Sequence, residues 1–251
     1  MAIVLGDQTV GATVPLKFNG AATDFLVAHQ GLPSSIYDSS CTGTWLLMKD
    51  IYENRQWHSS NSNSYKASTI HTYLNGEFLN LFDADIQPQI KQVKIPYVNG
   101  TGYNGSVASG SSGLSVKIFL LSCYEVGFTT SDNRYFPADG AKLNYFIAGN
   151  DSAAKAKRVS DFNGSAASWW TRSPRTDDTS IVWLIGSSGS SSGYGCTYSY
   201  GIRPALILPS DTKLSEDGTI YNPHGVYIKQ SGTWSPTKSV WIKQAGAWSK
   251  V

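Results

Sequence analysis

Long apolar runs are missing from this sequence: no stretch of about eighteen consecutive apolar residues occurs, which excludes a membrane-spanning helix. Charge is also scarce. Asp, Glu, Lys and Arg make up 15% of the chain, against roughly 25% in a typical soluble protein. Ser, Thr, Asn and Gly must therefore supply the polar surface, a composition common in extracellular and virion proteins. The net charge is +2, without a basic run, which argues against a nucleic-acid partner. Cys41, Cys123 and Cys196 form an odd, widely spaced set with no CxxC pair, so neither a zinc site nor a disulfide framework is expected. Cys41 and Cys123 read as buried thiols, and Cys196 as a thiol in a variable loop. His29, His58, His71 and His224 lack ligand spacing. No metal and no cofactor are expected. The carboxylates stand singly except Asp177-Asp178, which offers little to a two-carboxylate glycosidase. Gly186-Ser-Ser-Gly-Ser190 has the wrong spacing and context for a nucleophile elbow. The first residues, MAIVLGDQTVG, lack a basic segment followed by a long apolar one, which argues against classical secretion. Nothing here points to an enzyme.

What is present is a real core, with 41% hydrophobic residues. The segments VPLKF and DFLVAHQ read as strands joined at Asn19-Gly20, a hairpin signal. Thr44 to Lys49 and Val116 to Leu121 read as further strands. From Ser68 to Phe82, a capping serine precedes Ile70, Tyr73, Leu74, Phe78, Leu81 and Phe82. That spacing predicts a helix. Asp83 or Asp85 is placed to cap a second short helix through Ile90, and Asn150 or Asp151 to open another after a short strand. The Gly/Ser/Asn-rich stretch Asn99 to Gly113 reads as a flexible loop. Trp169, Trp170, Arg172 and Arg203 read as scaffold, with the arginines tying backbone carbonyls at a core edge. The expectation is a mixed α+β domain over residues 1–210, followed over residues 211–251 by a linker and an internal repeat. In that repeat, Tyr227, Ile228, Lys229, Gly232 and Trp234 recur as Trp241, Ile242, Lys243, Gly246 and Trp248. Each copy reads as a small hairpin turning at Gly232 or Gly246, and one such hairpin is not stable alone.

Between Thr176 and Tyr200 the chemistry changes. No Lys, Arg, Glu, Gln or Phe occurs there, while Ser180, Ser187, Ser188, Ser190, Ser191, Ser192 and Ser199 mix with Tyr194, Tyr198 and Tyr200. Antibody paratopes use these residue types because Tyr gives wide contact at low entropic cost and Ser and Gly give adaptable hydrogen bonding. Tyr194, Cys196, Tyr198 and Tyr200 share one parity, so an extended segment would project them on one face.

Three separated motifs carry a resemblance. Ile70-His-Thr-Tyr-Leu-Asn-Gly-Glu-Phe78, Val116-Lys-Ile-Phe-Leu-Leu-Ser-Cys-Tyr-Glu125, and Trp169-Trp-Thr-Arg-Ser-Pro174 with Gly201-Ile-Arg-Pro-Ala-Leu206 resemble the ordered motifs of a bacterial and phage domain family similar to C-type lectins. Relatives include the variable proteins of diversity-generating retroelements, among them phage tropism determinants. The resemblance implies a C-type-lectin-like domain with two helices and a twisted antiparallel sheet. It also implies a variable binding face carried by Arg175, Asp177, Asp178, Ile181, Leu184, Gly186, Ser192, Tyr194, Cys196, Tyr198 and Tyr200, residue types that retroelement mutagenesis of adenines produces. The tail repeat is similar to those ending tail proteins of phages that infect Gram-positive bacteria. The function implied is a receptor-binding or adhesive phage-tail protein, on the virion or an extracellular surface. Its partners would be a bacterial surface protein or glycan, other tail proteins and further copies of itself, as in a trimer. The alternatives are a purely architectural tail component and a hydrolase of cell-wall or capsular sugar. The lectin-fold branches that use calcium or paired cysteines lack their motifs here.

Overall fold

A computed structural model describes residues 2–221 in full and, beyond them, the backbone of the strands Tyr227–Gln230, Thr233–Pro236, Trp241–Gln244 and Ala247–Lys250. Two five-stranded sheets dominate the main unit, Met1–Ile220. The first is antiparallel and runs Ile118–Leu120, Pro204–Leu208, Thr44–Met48, Ala21–Gln30, Thr13–Phe18. The second is mixed and runs Ser191–Gly195, Ile181–Ile185, Trp169–Pro174, Ser199–Ile202, Glu53–Gln56. Burial follows composition. The strands TWLLM, apolar after its threonine, and PALIL are buried at every residue and lie inside the first sheet. Thr13–Phe18 alternates buried with more exposed residues, as an edge strand covered on one face does. Asn19 and Gly20 turn the first hairpin with positive φ, 49° and 78°, the geometry a two-residue turn between twisted strands requires.

The expected two-helix, lectin-like α+β class is overturned. The chain is mostly strand in several small sheets, and its α-helices, Thr69–Tyr73 and Ser152–Arg158, are short. The stripe Ile70, Leu74, Phe78 and Phe82 is buried as its spacing required, and Ser68 caps its start by accepting from the His71 amide at 3.2 Å. Regular helix nevertheless stops at Tyr73 and continues as a wider turn over Leu74–Phe78 and a tight turn over Leu79–Leu81. Where it widens, the Asn75 side chain accepts from the amides of Lys117 and Ile118 and donates to the Ile118 carbonyl. Those bonds fasten the segment to the edge of the first sheet. Asp83 to Ile90 forms turns rather than a second helix. The strand expected over Val116 to Leu121 is interrupted at Lys117, giving Leu114–Val116 and Ile118–Leu120 in different sheets. No strand precedes the helix that Asp151 caps.

The chain passes directly from one large sheet to the other at two places, from Met48 to Glu53 and from Ile202 to Pro204. At this corner Arg203 is buried, donates Nε to the Met48 carbonyl at 2.9 Å and lies over the Trp169 ring. Main-unit structure runs past the expected boundary at Ser210, because Lys213–Leu214 pairs with Ile3–Val4. The second unit, Tyr221–Val251, contains two antiparallel strand pairs with Gln230 opposite Thr233 and Gln244 opposite Ala247. The expected turns at Gly232 and Gly246 and the side chains of Trp234 and Trp248 lie outside the described residues.

Candidate functional site

The strand Trp169–Pro174 and its neighbour Ile181–Ile185 lose register between Trp170 and Pro174, so Thr171, Arg172 and Ser173 together oppose Trp183. This bulge turns the backbone toward the first sheet, where the Arg172 amide donates to the Leu121 carbonyl at 2.9 Å. The Arg172 guanidinium is fully buried and uses every donor. Nε reaches the Pro96 carbonyl, Nη1 the Leu120 carbonyl and Glu125 Oε2 at 2.6 Å, and Nη2 Glu125 Oε1 at 2.7 Å and the Asp139 carbonyl. Glu125 also accepts from the Tyr37 hydroxyl and the Ser122 amide. The Asp139 carboxylate, equally buried, faces Ser173 Oγ at 2.9 and 3.0 Å. Burial pushes its pKa up to about 7, with Arg172 and Ser173 opposing and Glu125 adding. Burial likewise raises the Cys123 thiol and the Tyr37 hydroxyl. Carboxylates that stand singly in the sequence thus converge on Arg172. The cluster is closed to solvent, so it supports the surface above it and offers no access to substrate.

Above this support, Asn63 holds the start of the Ser/Gly/Tyr segment. Its side chain is buried, donates to the carbonyls of Asp178 and Ile181 at 3.0 and 2.7 Å, and accepts from the Gly102 amide at 2.8 Å. A Cβ on Gly102 would stand 2.0 Å from the Arg175 carbonyl oxygen, so glycine there serves close approach. The loop expected to be flexible from Asn99 to Gly113 is therefore part of the scaffold, with Tyr97–Asn99 paired to Ser106–Ala108. Nothing in local sequence marks Asn63 for this role.

The structure divides the expected binding residues. Tyr194, Tyr198 and Tyr200 do come together, with ring centroids 6.4 Å apart for Tyr194–Tyr198 and 4.9 Å for Tyr194–Tyr200. Tyr194 and Tyr198 are 41% and 60% exposed, and half-buried Tyr200 stands edge-on to Trp170. Extended parity is not what gathers them. A turn at Cys196 folds the segment back, with the Tyr198 amide bonded to the Gly195 carbonyl. Cys196 is fully buried with its thiol on the Ser60 carbonyl, and Leu184 is buried in the sheet, so neither belongs to the exposed face. Arg175 and Asp177 form a bidentate pair at 2.6 and 2.9 Å, and Asp178 accepts from the Ser180 amide and hydroxyl. Those contacts lower both carboxyl pKa values and commit the charges to the loop itself. Ile181 is half-buried opposite Gly195, Ser192 is half-buried opposite Leu184, and Gly186 sits at the far turn. Exposure in the hairpin is consequently split. Ser187 and Ser188 occupy one end, while Asp177, Thr179, Tyr194, Tyr198 and Ser199 share the other.

Trp170→Ala is expected to cost about 3–5 kcal/mol, because it empties a fully buried indole site and removes the backing of Tyr200. Tyr198→Ser should stay within about 0.5 kcal/mol. Melting curves check the contrast, and a tyrosine variant that melts as early as the tryptophan variant overturns this division into support and surface.

Among the described residues, no group of three or more His, Cys, Asp and Glu side chains could hold a metal ion, and no helix is long and apolar enough to cross a membrane. The fold and site together describe a β-rich scaffold that carries an anchored, aromatic-tipped surface. Residues 42–210 match the family described as Domain of unknown function (DUF6273), and since that is more than half of the chain, the protein belongs to this family. No curated protein matches the sequence, and no solved structure matches the fold.

Proposed function

We propose that this chain is a receptor-binding or adhesive component of a phage tail, which reads a bacterial surface through the tyrosine end of the Thr176 to Tyr200 segment and acts without catalysis. The observation that carries the reading is the exposure of Tyr194 and Tyr198 on a backbone pinned from beneath by Asn63, Cys196 and Trp170. Large exposed aromatics on a fixed support lower the entropic cost of binding and contribute little to folding. The tandem tail repeat and the resemblance of the Trp169-to-Pro174 and Gly201-to-Leu206 motifs to retroelement variable proteins add support for a phage setting and for diversification of the segment.

The test is capture of the fluorescently labelled chain by a panel of Gram-positive cells. Tyr194→Ser with Tyr198→Ser should weaken capture at least about tenfold while the melting temperature stays within about 2 °C. Undiminished capture removes the tyrosine end from recognition. Diversification is tested at the gene, where a near-copy of the codons from Trp170 to Arg203 should lie beside a reverse transcriptase; a locus without either ends that part of the proposal.

A further inference from the structure

Beside the tyrosine end lies a cleft of about 440 Å³, lined by Asn54, Arg55, Gln56, Ser59, Thr69 and Ser199. We infer that this cleft is a subsite for a neutral glycan, an inference that rests on the recognition role proposed above and names the ligand class. Its size falls within the range of small-molecule sites, about 300–1,000 Å³. Every side chain that lines it carries an amide, hydroxyl or guanidinium group, with their aliphatic parts contributing a comparable share of the surface. Among the described residues, the side chains of Asn54, Ser59, Thr69 and Ser199 make no hydrogen bond to protein. Gln56 donates to the Thr197 carbonyl and keeps its own carbonyl oxygen for a ligand. Hydroxyls that both donate and accept, set among amides, match the alternating hydroxyls of a sugar ring.

Charge narrows the ligand further. Arg55 is the lone ionised group in the lining, and it is already engaged: Nε meets Glu53 Oε1 at 2.8 Å, and the guanidinium lies 3.4 Å from the centre of the Tyr73 ring. Its pairing with Glu53 leaves the lining without net positive charge to draw in a phosphate or carboxylate, and a bound cation meets no carboxylate in the lining.

The exposed Tyr198 precedes the lining residue Ser199 in the chain. Thr197, held by Gln56, and Ser199, which lines the cleft, flank the exposed Tyr198 on either side. Tyr200 lies directly opposite Arg55 in the strand register. The polar groups of the lining can bind the hydroxyl edge of a ring while its apolar portion meets the C–H face.

The experiment uses the full chain. Saturation-transfer NMR is run against neutral oligosaccharides of hexoses and N-acetylhexosamines, and against poly(glycerol phosphate). The result expected is binding of a neutral oligosaccharide that changes less than about twofold between low and high salt, since no ion pair forms. Asn54→Ala with Ser199→Ala, both at exposed positions, should weaken it at least about tenfold at unchanged melting temperature. Binding of the anionic polymer alone, or neutral binding that survives the cleft variant, overturns the inference. Cell capture separates the two proposals. Capture lost with the tyrosine variant but kept with the cleft variant removes the cleft and leaves the tyrosine end. Neutral-glycan binding lost with the cleft variant, while neither variant changes capture, keeps the cleft and removes the recognition role. Indifference of both assays to both variants removes both.

Discussion

Arg172→Met is expected to destabilise the main unit by about 3–5 kcal/mol, because it leaves the Glu125 carboxylate buried without its cation and three backbone carbonyls without their donor. For a unit of this size, that lowers the melting temperature by roughly 6–20 °C. Replacing both partners, Arg172→Met with Glu125→Met, should cost less than the sum of the single changes, since the second removes the charge the first stranded. Chemical unfolding of the four proteins in such a cycle measures the coupling. A single variant within about 1 kcal/mol of the parent would mean that the bulged strand does not depend on this pair.

The second large effect is on pH. Ser173 has one hydroxyl hydrogen, yet its oxygen lies within 3.0 Å of both Asp139 carboxyl oxygens and already accepts from the Cys123 amide at 2.9 Å. With Asp139 ionised, the single Ser173 hydrogen serves one carboxyl oxygen at a time in a site closed to water. With Asp139 protonated, acid and hydroxyl bond each other reciprocally. A folded pKa of about 7 against 3.8 for an unfolded aspartate means that folding takes up a proton. The stability this contributes is complete below about pH 4 and lost as pH rises through 7. At about 1.4 kcal/mol per decade, the loss reaches about 4 kcal/mol. The charged and titratable groups around it are Arg172, Glu125, Cys123 and Tyr37. His29 and His71, whose pKa values burial depresses, act in the opposite sense, so the informative quantity is a difference. Asp139→Asn keeps the reciprocal geometry without a titrating proton. Its stability relative to the parent should therefore improve from pH 5 to pH 8, and parallel profiles for the two proteins would show that Asp139 is ionised throughout.

Local patterns carried part of this structure. Asn19-Gly20 marks a turn because few other pairs accept two positive φ angles, and TWLLM marks an inner strand because four apolar residues follow its threonine without alternation. The apolar spacing from Ile70 to Phe82 identifies the buried side of that segment correctly. Periodicity could not reveal that Asn75 would bond to a strand 43 residues away, which is where the regular helix ends, and the mixed α+β reading rested on helices of that kind; the lectin-like class came from the resemblance of the motifs. Pairings that join Arg172 to Glu125 across 47 residues and Asn63 to Ile181 across 118 have no local signature either. The Asn99 to Gly113 loop misleads because a glycine required for close packing and a glycine in a flexible linker look the same in sequence. The tyrosines were visible as a group from composition. Cys196 was misplaced because an unbroken alternation hides the turn there, and Leu184 because it was assigned by residue type, which does not show that its strand is buried.

One pairing has a consequence for how such a surface can change. Trp169 lies directly beside Gly201 in parallel strands, so the excursion bearing the tyrosines leaves and re-enters the scaffold at adjacent points. Its closure is set by that pairing and not by its own length. Extra residues placed at the exposed Ser187–Ser188 tip would add only a slowly growing, logarithmic entropy of closure. The framework is thus open to change in size as well as in side chain, a socket in which tips of different lengths can be seated while the strands that hold them stay the same.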